Sequence, residues 1–339
     1  MKKKVTIKDV AKEAEVSPST VSRVISDNPN ISKSTKDKVK FIMDEMGYYP
    51  NAIARSLVKQ KTRSIGLVMS RPTDRALANP FFSGVIQGIA AVAQEKNYSL
   101  LLTAADNYED EYQEALKQLK VGRVDGLVLL ASRINDDLIK QLLKNNFPFV
   151  LIGRSQEFQS IPRVDNDNYQ AAFDLIEKLI QSGYKEFSVL AGHKDYVFTG
   201  DRLKGVIDAL KANNMGLNPD RIEFTDFTFE SAEKSAYKIL SNHKTDALIA
   251  FDDLLGMAAV QTAEALGFSV PNQIGIVGFN DHTMVSYLKP SLTTVKIPIV
   301  DMGERAISML IKMLEDNSYK GEEKIIPTEI IERESLKFK

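Results

Sequence analysis

The sequence predicts a two-part molecule: an N-terminal all-α helix-turn-helix headpiece, then an α/β core of two doubly wound parallel-sheet subdomains. Three observations carry this prediction. The opening 50 residues hold short amphipathic helical patterns with cap signals and no strand pattern. From Ser64 onward, short apolar runs alternate with helical patterns, which is how parallel strands buried on both faces read. Eight such runs precede the last 60 residues, which suit two doubly wound halves better than one sheet.

Within the headpiece, Thr6 and Asp9 stand three apart, the spacing of an N-cap and an acidic partner. Val10, Ala11 and Ala14 follow as an apolar stripe. Ser17 is positioned to cap a second helix that begins at Pro18, where a missing N–H costs nothing. Val21, Val24 and Ile25 face inward, leaving Ser19, Thr20, Ser22 and Arg23 as a polar face suited to phosphates and base edges. A third helix is predicted from about Ser32 to Met46, with Val39, Ile42, Met43 and Met46 on its apolar side and Gly47 after it. Residues 51–58 form a candidate hinge helix capped by Asn51, too short to be stable alone. The predicted domains are therefore 1–50, a hinge and linker at 51–63, and a core at 64–339.

In the core the candidate strands are Ile65–Met69, Ser99–Ala104, Gly126–Ala131, Phe149–Ile152, Phe187–Ala191, Ile222–Phe227, Ala247–Phe251 and Ile274–Phe279. Helical patterns lie between them, such as Phe82–Glu95, Tyr169–Gln181 and Leu254–Leu266. Leu292–Ile297, a helix at about Val300–Leu314 and a last strand near Lys324–Ile331 complete the chain.

Charge is divided unevenly. Residues 1–63 carry 14 Lys/Arg against 7 Asp/Glu, and the remainder 30 against 38, so the net −1 hides a basic first fifth on an acidic body. That is the electrostatic footprint of a small nucleic-acid module joined to something else. Without cysteine there are no disulfides, thiolate metal sites or cysteine nucleophiles. The basic start Met1-Lys2-Lys3-Lys4 meets no apolar segment of signal-peptide type, and no run has the length of a membrane span, so a cytoplasmic protein is expected. His193, His243 and His282 are scattered without metal-ligand spacing. No dinucleotide fingerprint, phosphate loop or serine elbow appears, so neither catalysis nor a cofactor or metal is expected.

Open parallel sheets bind ligands beyond the carboxyl ends of their strands. Polar and aromatic residues gather at those places: Asn79-Pro80-Phe81-Phe82, Val164-Asp165-Asn166-Asp167, the run from Gly192 through Tyr196 and Phe198 to Arg202, Asp226-Phe227, Asp252-Asp253 and Gly278-Phe279-Asn280-Asp281. Flat apolar faces beside charged and amide groups suit a sugar or a purine.

Thr6–Ala11 and Val16–Ile25 resemble the headpiece of the lactose-repressor/galactose-repressor (LacI/GalR) family of bacterial transcription factors. The likeness continues through Gly47–Leu57, Ser64–Val68 and most of the remaining chain to Arg333. It implies a periplasmic-binding-protein-like core, with an N-subdomain of about 64–163 plus 296–323 and a C-subdomain of about 164–295 plus 324–339. It further implies a homodimeric repressor of palindromic double-stranded operator DNA, released or tightened by a small-molecule effector. The expected DNA contacts are Thr6, Lys8, Ser17, Pro18, Ser19, Thr20, Ser22, Arg23 and Asn28, with Tyr49, Asn51, Ala54, Arg55 and Leu57 from the hinge. Leu57 matches the leucine that wedges the minor groove.

By the same resemblance Arg202 clamps the effector, Phe227 stacks on it and Asn280 sits on its far side. Phe81, Asp165, Tyr196, Phe198 and Asp252 complete the expected effector set. Asn280 stands where the family often has aspartate, and Gly153 falls near another acidic contact. Both changes remove negative charge and favour a neutral saccharide. The chain is similar to the family's maltose-operon regulators, which implies maltose or a maltodextrin. A same-family regulator for another sugar, one acting with a phosphorylated corepressor protein, a sugar-transport protein and an enzyme with an attached DNA module stay open as alternatives.

Overall fold

The computed structural model describes residues 5–48, 61–69, 73–103, 105 and 107–338. Tyr49, Asn51, Ala54, Arg55 and Leu57, and with them the expected hinge helix, lie outside the described residues. The chain divides into two compact units, Met1–Thr62 and Arg63–Lys339.

The first unit contains α1 (Ile7–Glu13), α2 (Pro18–Ile25) and α3 (Lys33–Glu45). The Asp9 carboxylate accepts from both the Thr6 backbone N–H (2.8 Å) and its hydroxyl (2.7 Å), which fixes the start of α1. Ser17 Oγ accepts from Thr20 N–H at 3.1 Å, and Ser32 Oγ from Thr35 N–H at 3.2 Å, so both later helices start on serine caps. Between α1 and α2 the chain reverses through Glu15, whose φ of 56° lets Val16 N–H return to Ala11 C=O at 2.9 Å. Val10, Ala11, Ala14, Val21, Val24 and Val39 form the buried centre.

The second unit has two six-stranded sheets. The first is ordered β11-β5-β4-β3-β1-β2, all parallel: β1 (Ser64–Val68), β2 (Ser99–Leu102), β3 (Gly126–Leu129), β4 (Phe149–Ile152), β5 (Arg163–Asn166) and β11 (Glu323–Ile326). The second is ordered β12-β10-β9-β8-β6-β7: β6 (Phe187–Ala191), β7 (Ile222–Phe224), β8 (Ala247–Ala250), β9 (Gly275–Asn280), β10 (Thr293–Lys296) and β12 (Glu329–Ile331). Only the pairing of β12 with β10 is antiparallel.

Helices α4 (Thr73–Ala78), α5 (Pro80–Glu95), α6 (Tyr108–Lys120), α7 (Asp137–Lys144) and α12 (Ile299–Glu315) belong with the first sheet. Helices α8 (Asn168–Gln181), α9 (Val197–Ala212), α10 (Phe229–Asn242) and α11 (Asp253–Ala265) belong with the second. Strands β3, β4, β6, β8 and β9 are buried throughout, the signature of sheets covered on both faces.

Three boundaries differ from the sequence expectation by three residues or more, or in the sheet they join. Arg163–Asn166 is a strand of the first sheet, so the chain crosses after Asn166, not at 163/164; with only Val164 apolar, the segment has no strand signature. The single last strand expected near 324–331 is two strands in two sheets. Pro327 lies between them, has no N–H for a ladder, and marks the change of sheet. The run at 222–227 is a strand only to Phe224, and Phe227 adopts φ of +59°, outside the extended range.

Candidate functional site

In the first unit, the candidate nucleic-acid face is α2. Val21 and Val24 are buried, whereas Pro18, Ser19, Ser22 and Arg23 are exposed and Thr20 is half-buried. Ser17 Oγ hydrogen-bonds to Ser19 Oγ (2.7 Å) and Thr20 Oγ1 (2.9 Å), so these hydroxyls form one cluster at the helix N-terminus. A helix N-terminus with hydroxyls and unpaired N–H groups is suited to a phosphate. Thr6 and Lys8 are exposed on α1. Asn28 caps the turn after α2, its Oδ1 accepting from Asn30 N–H at 2.9 Å.

The second unit holds a cleft between its two sheets, enclosing about 640 Å³ including its open mouth. The strand ends and helix starts that surround it follow from the parallel topology: helices begin where strands stop. Asn79 caps α5, accepting from Phe81 N–H at 2.9 Å, and Asp252 caps α11, accepting from Leu254 N–H at 2.7 Å. The free ends of the same side chains meet across the cleft, Asn79 Nδ2 donating to Asp252 Oδ2 at 3.0 Å. Asn280, at the end of β9, donates to the same oxygen at 3.0 Å. Arg154, which follows β4, pairs with Asp201 on α9, with Nε at 2.7 Å from Oδ2.

Arg202 lies at the floor, 4 % exposed. Its Nε donates to Asn168 Oδ1 at 2.8 Å, its Nη1 donates to Phe251 C=O, and its guanidinium sits 4.4 Å from the Phe279 ring centre. Burial lowers its pKa to about 10, against the pull of Asp252 and Asp165. It stays charged at neutral pH. Asp165 accepts from Asn166 N–H at 2.8 Å, and burial pushes its carboxyl up to about 7.

The aromatic wall is built by Phe198 and Phe227, 5.7 Å apart, with Phe81 opposite. Phe227 stands over Gly192, where an added Cβ would lie 1.7 Å from the ring. Glycine at 192 is therefore a condition for this ring position.

Seven of the eight residues expected to contact an effector line the cleft: Phe81, Asp165, Phe198, Arg202, Phe227, Asp252 and Asn280. Tyr196 does not. It is 4 % exposed and stacks behind Phe198 (5.5 Å, 20° between planes) at the N-cap of α9. There it joins a cross-lobe contact: Arg133 lies 5.2 Å from its ring centre, and Ile134 N–H donates to Asp195 C=O at 2.8 Å. Sequence reasoning placed Asn79, Asn166 and Asp201 in segments beyond the strands without assigning them a contact, and it did not name Arg154 or Asn168. Asn79 and Asn168 carry the helix-start signal of a short polar residue before an amphipathic run. The pairing of Arg154 with Asp201 has no local signal. Among the described residues no group of His, Asp or Glu could hold a metal, and no helix is long and apolar enough to cross a membrane.

A helix-turn-helix unit on the same chain as a two-lobed ligand cleft defines a ligand-responsive DNA-binding regulator. Residues 6–51 match the bacterial regulatory proteins of the lacI family, and residues 176–336 a periplasmic binding protein-like domain. The chain is 37% identical over 319 residues to the HTH-type transcriptional regulator MalR of Streptococcus pneumoniae, covering 92% of this chain and 94% of that protein. The structure of a transcriptional regulator CelR–cellobiose complex superposes with a TM-score of 0.76 at 29% identity, covering 98% of this chain and all of that one. A lac repressor dimer bound to operator shares the fold, with a TM-score of 0.86 at 24% identity over 98% of this chain and 99% of that one. The chain belongs to the lacI family of bacterial transcriptional regulators.

Proposed function

We propose that the chain is a homodimeric repressor whose operator affinity is set by a small neutral saccharide, with maltose or a short maltodextrin as effector. The observation that carries this reading is that the charged side chains of the cleft already hydrogen-bond to protein partners. Arg154 is matched by Asp201, Asp252 by two amides, and Arg202 by an amide and a carbonyl. Ligand hydroxyls can extend these bonds, donating to the carboxylates and accepting from the guanidiniums. The rings of Phe198 and Phe227 supply the flat apolar face on which a pyranose stacks. The similarity to MalR supports maltose, and the CelR–cellobiose complex favours cellobiose as the second glucose disaccharide to test.

In the first unit, the exposed hydroxyls and Arg23 of α2 support the DNA role, with Leu57 as the minor-groove wedge. Two headpieces on one dimer read two half-sites, each raising the other's effective concentration. Effector binding changes operator affinity only through unequal affinity for the competent and incompetent states.

Calorimetric titration with maltose, cellobiose and ribose, followed by band-shift assays on palindromic DNA with each sugar, tests the reading. Maltose binding that changes operator affinity supports it. Ribose binding with indifference to both disaccharides would overturn the ligand assignment, and indifference to all DNA at low salt would overturn the regulator.

A further inference from the structure

Four asparagines line the cleft, and three of them are committed to protein partners. Asn79 and Asn280 donate to Asp252, and Asn168 accepts from Arg202 while donating to Asp165 at 3.4 Å. Asn166 differs. It is 4 % exposed at the end of β5, yet its side-chain Nδ2 is buried with no hydrogen-bond partner among the described residues. Its backbone is held firmly: the N–H donates to Asp165 Oδ1 at 2.8 Å, the C=O accepts from Asn168 Nδ2 at 3.3 Å, and the residue pairs with Ile326 of β11. A buried amide without a partner is costly, and native proteins leave few of them outside functional sites.

We propose that Asn166 is a specificity-determining residue of the cleft, its amide reading a hydroxyl of the saccharide effector. The inference rests on the sugar-binding reading above and deepens it. An amide both donates and accepts, and a hydroxyl can answer either role. An apolar ligand would leave Nδ2 unmet. An anion would satisfy it but would stand beside the carboxylate of Asp201, which already holds Arg154.

The test uses the full chain and Asn166→Leu, which keeps the branched outline and removes the amide; Asn166→Ala serves if leucine does not fit. Two measurements are made: unfolding midpoint without ligand, and calorimetric affinity for maltose and its monodeoxy analogues. The expected midpoint is unchanged or raised, because an unmet polar group has been removed. Maltose affinity should fall about 10- to 100-fold. One monodeoxy analogue should bind the wild-type chain more weakly than maltose but bind Asn166→Leu as well as maltose does. A midpoint lowered by several degrees in both variants, or undiminished maltose affinity, would overturn the inference. If the wild-type chain ignores maltose altogether, the maltose assignment fails separately, and the ligand-free midpoint still decides whether the amide is unmet.

Discussion

Single residues in the cleft carry properties that follow from burial. Asp165 holds its proton up to about pH 7, against an ordinary carboxylate value of 3.8, because desolvation penalises its charge. The folded state therefore binds a proton more tightly than the unfolded chain. That contribution to stability is fully present below about pH 4 and is lost as pH rises toward 7. Asp165→Asn should flatten this slope, measured as unfolding midpoints across pH 4 to 8; an unchanged slope would contradict it. Arg202 divides its guanidinium between Asn168 and Phe251, so a lysine, with one point charge, cannot replace it. Both Arg202→Lys and Arg202→Ala should abolish the sugar-induced rise in unfolding midpoint. Arg202 and Phe227 were singled out through the family resemblance, and both fall in segments that follow apolar strands and line the cleft. Tyr196 fell there too, but its place at the start of α9 turns it behind Phe198 instead of toward the cleft. The unmet amide of Asn166 was not legible, since a lack of partners is a property of packing.

At the scale of elements, local chemistry fixes many of the helix starts, of which the sequence reading named Thr6 and Ser17 as caps. Ser17, Ser32, Asn79, Asp167, Thr228 and Asp252 all cap helices through their side chains. Ser17→Ala should cost the first unit about 1 kcal/mol, read by thermal unfolding of the headpiece transition. It should also weaken DNA binding, because Ser17 organises the Ser19 and Thr20 hydroxyls. β5 escaped notice for the opposite reason: its residues are Arg-Val-Asp-Asn, and a neighbouring sheet, not propensity, makes them a strand. Arg133 marks another tertiary device. It lies between the Tyr108 and Tyr196 rings, at 4.8 and 5.2 Å, and so ties the two lobes beside the cleft.

For the whole molecule, the division of charge is the property the sequence states most directly. A fragment beginning at Arg63 carries the complete two-sheet unit. It should retain sugar binding by calorimetry and give no band shift with operator; loss of sugar binding would show that the fold needs its first unit. Operator affinity of the full chain should fall steeply with salt, as the basic segment displaces counterions, and a flat dependence would speak against phosphate contacts.

The crossings between sheets all leave from β5, β10, β11 and β12, at one border of each sheet. Any rocking of one lobe on the other must turn about that border. The segment from the headpiece joins at β1, three strand spacings from β5, or about 14 Å away. A tilt of about 10° would carry that attachment point roughly 2.5 Å at this strand spacing. Within the two-sheet unit, the core is thus built as a short lever whose first strand lies near its moving end.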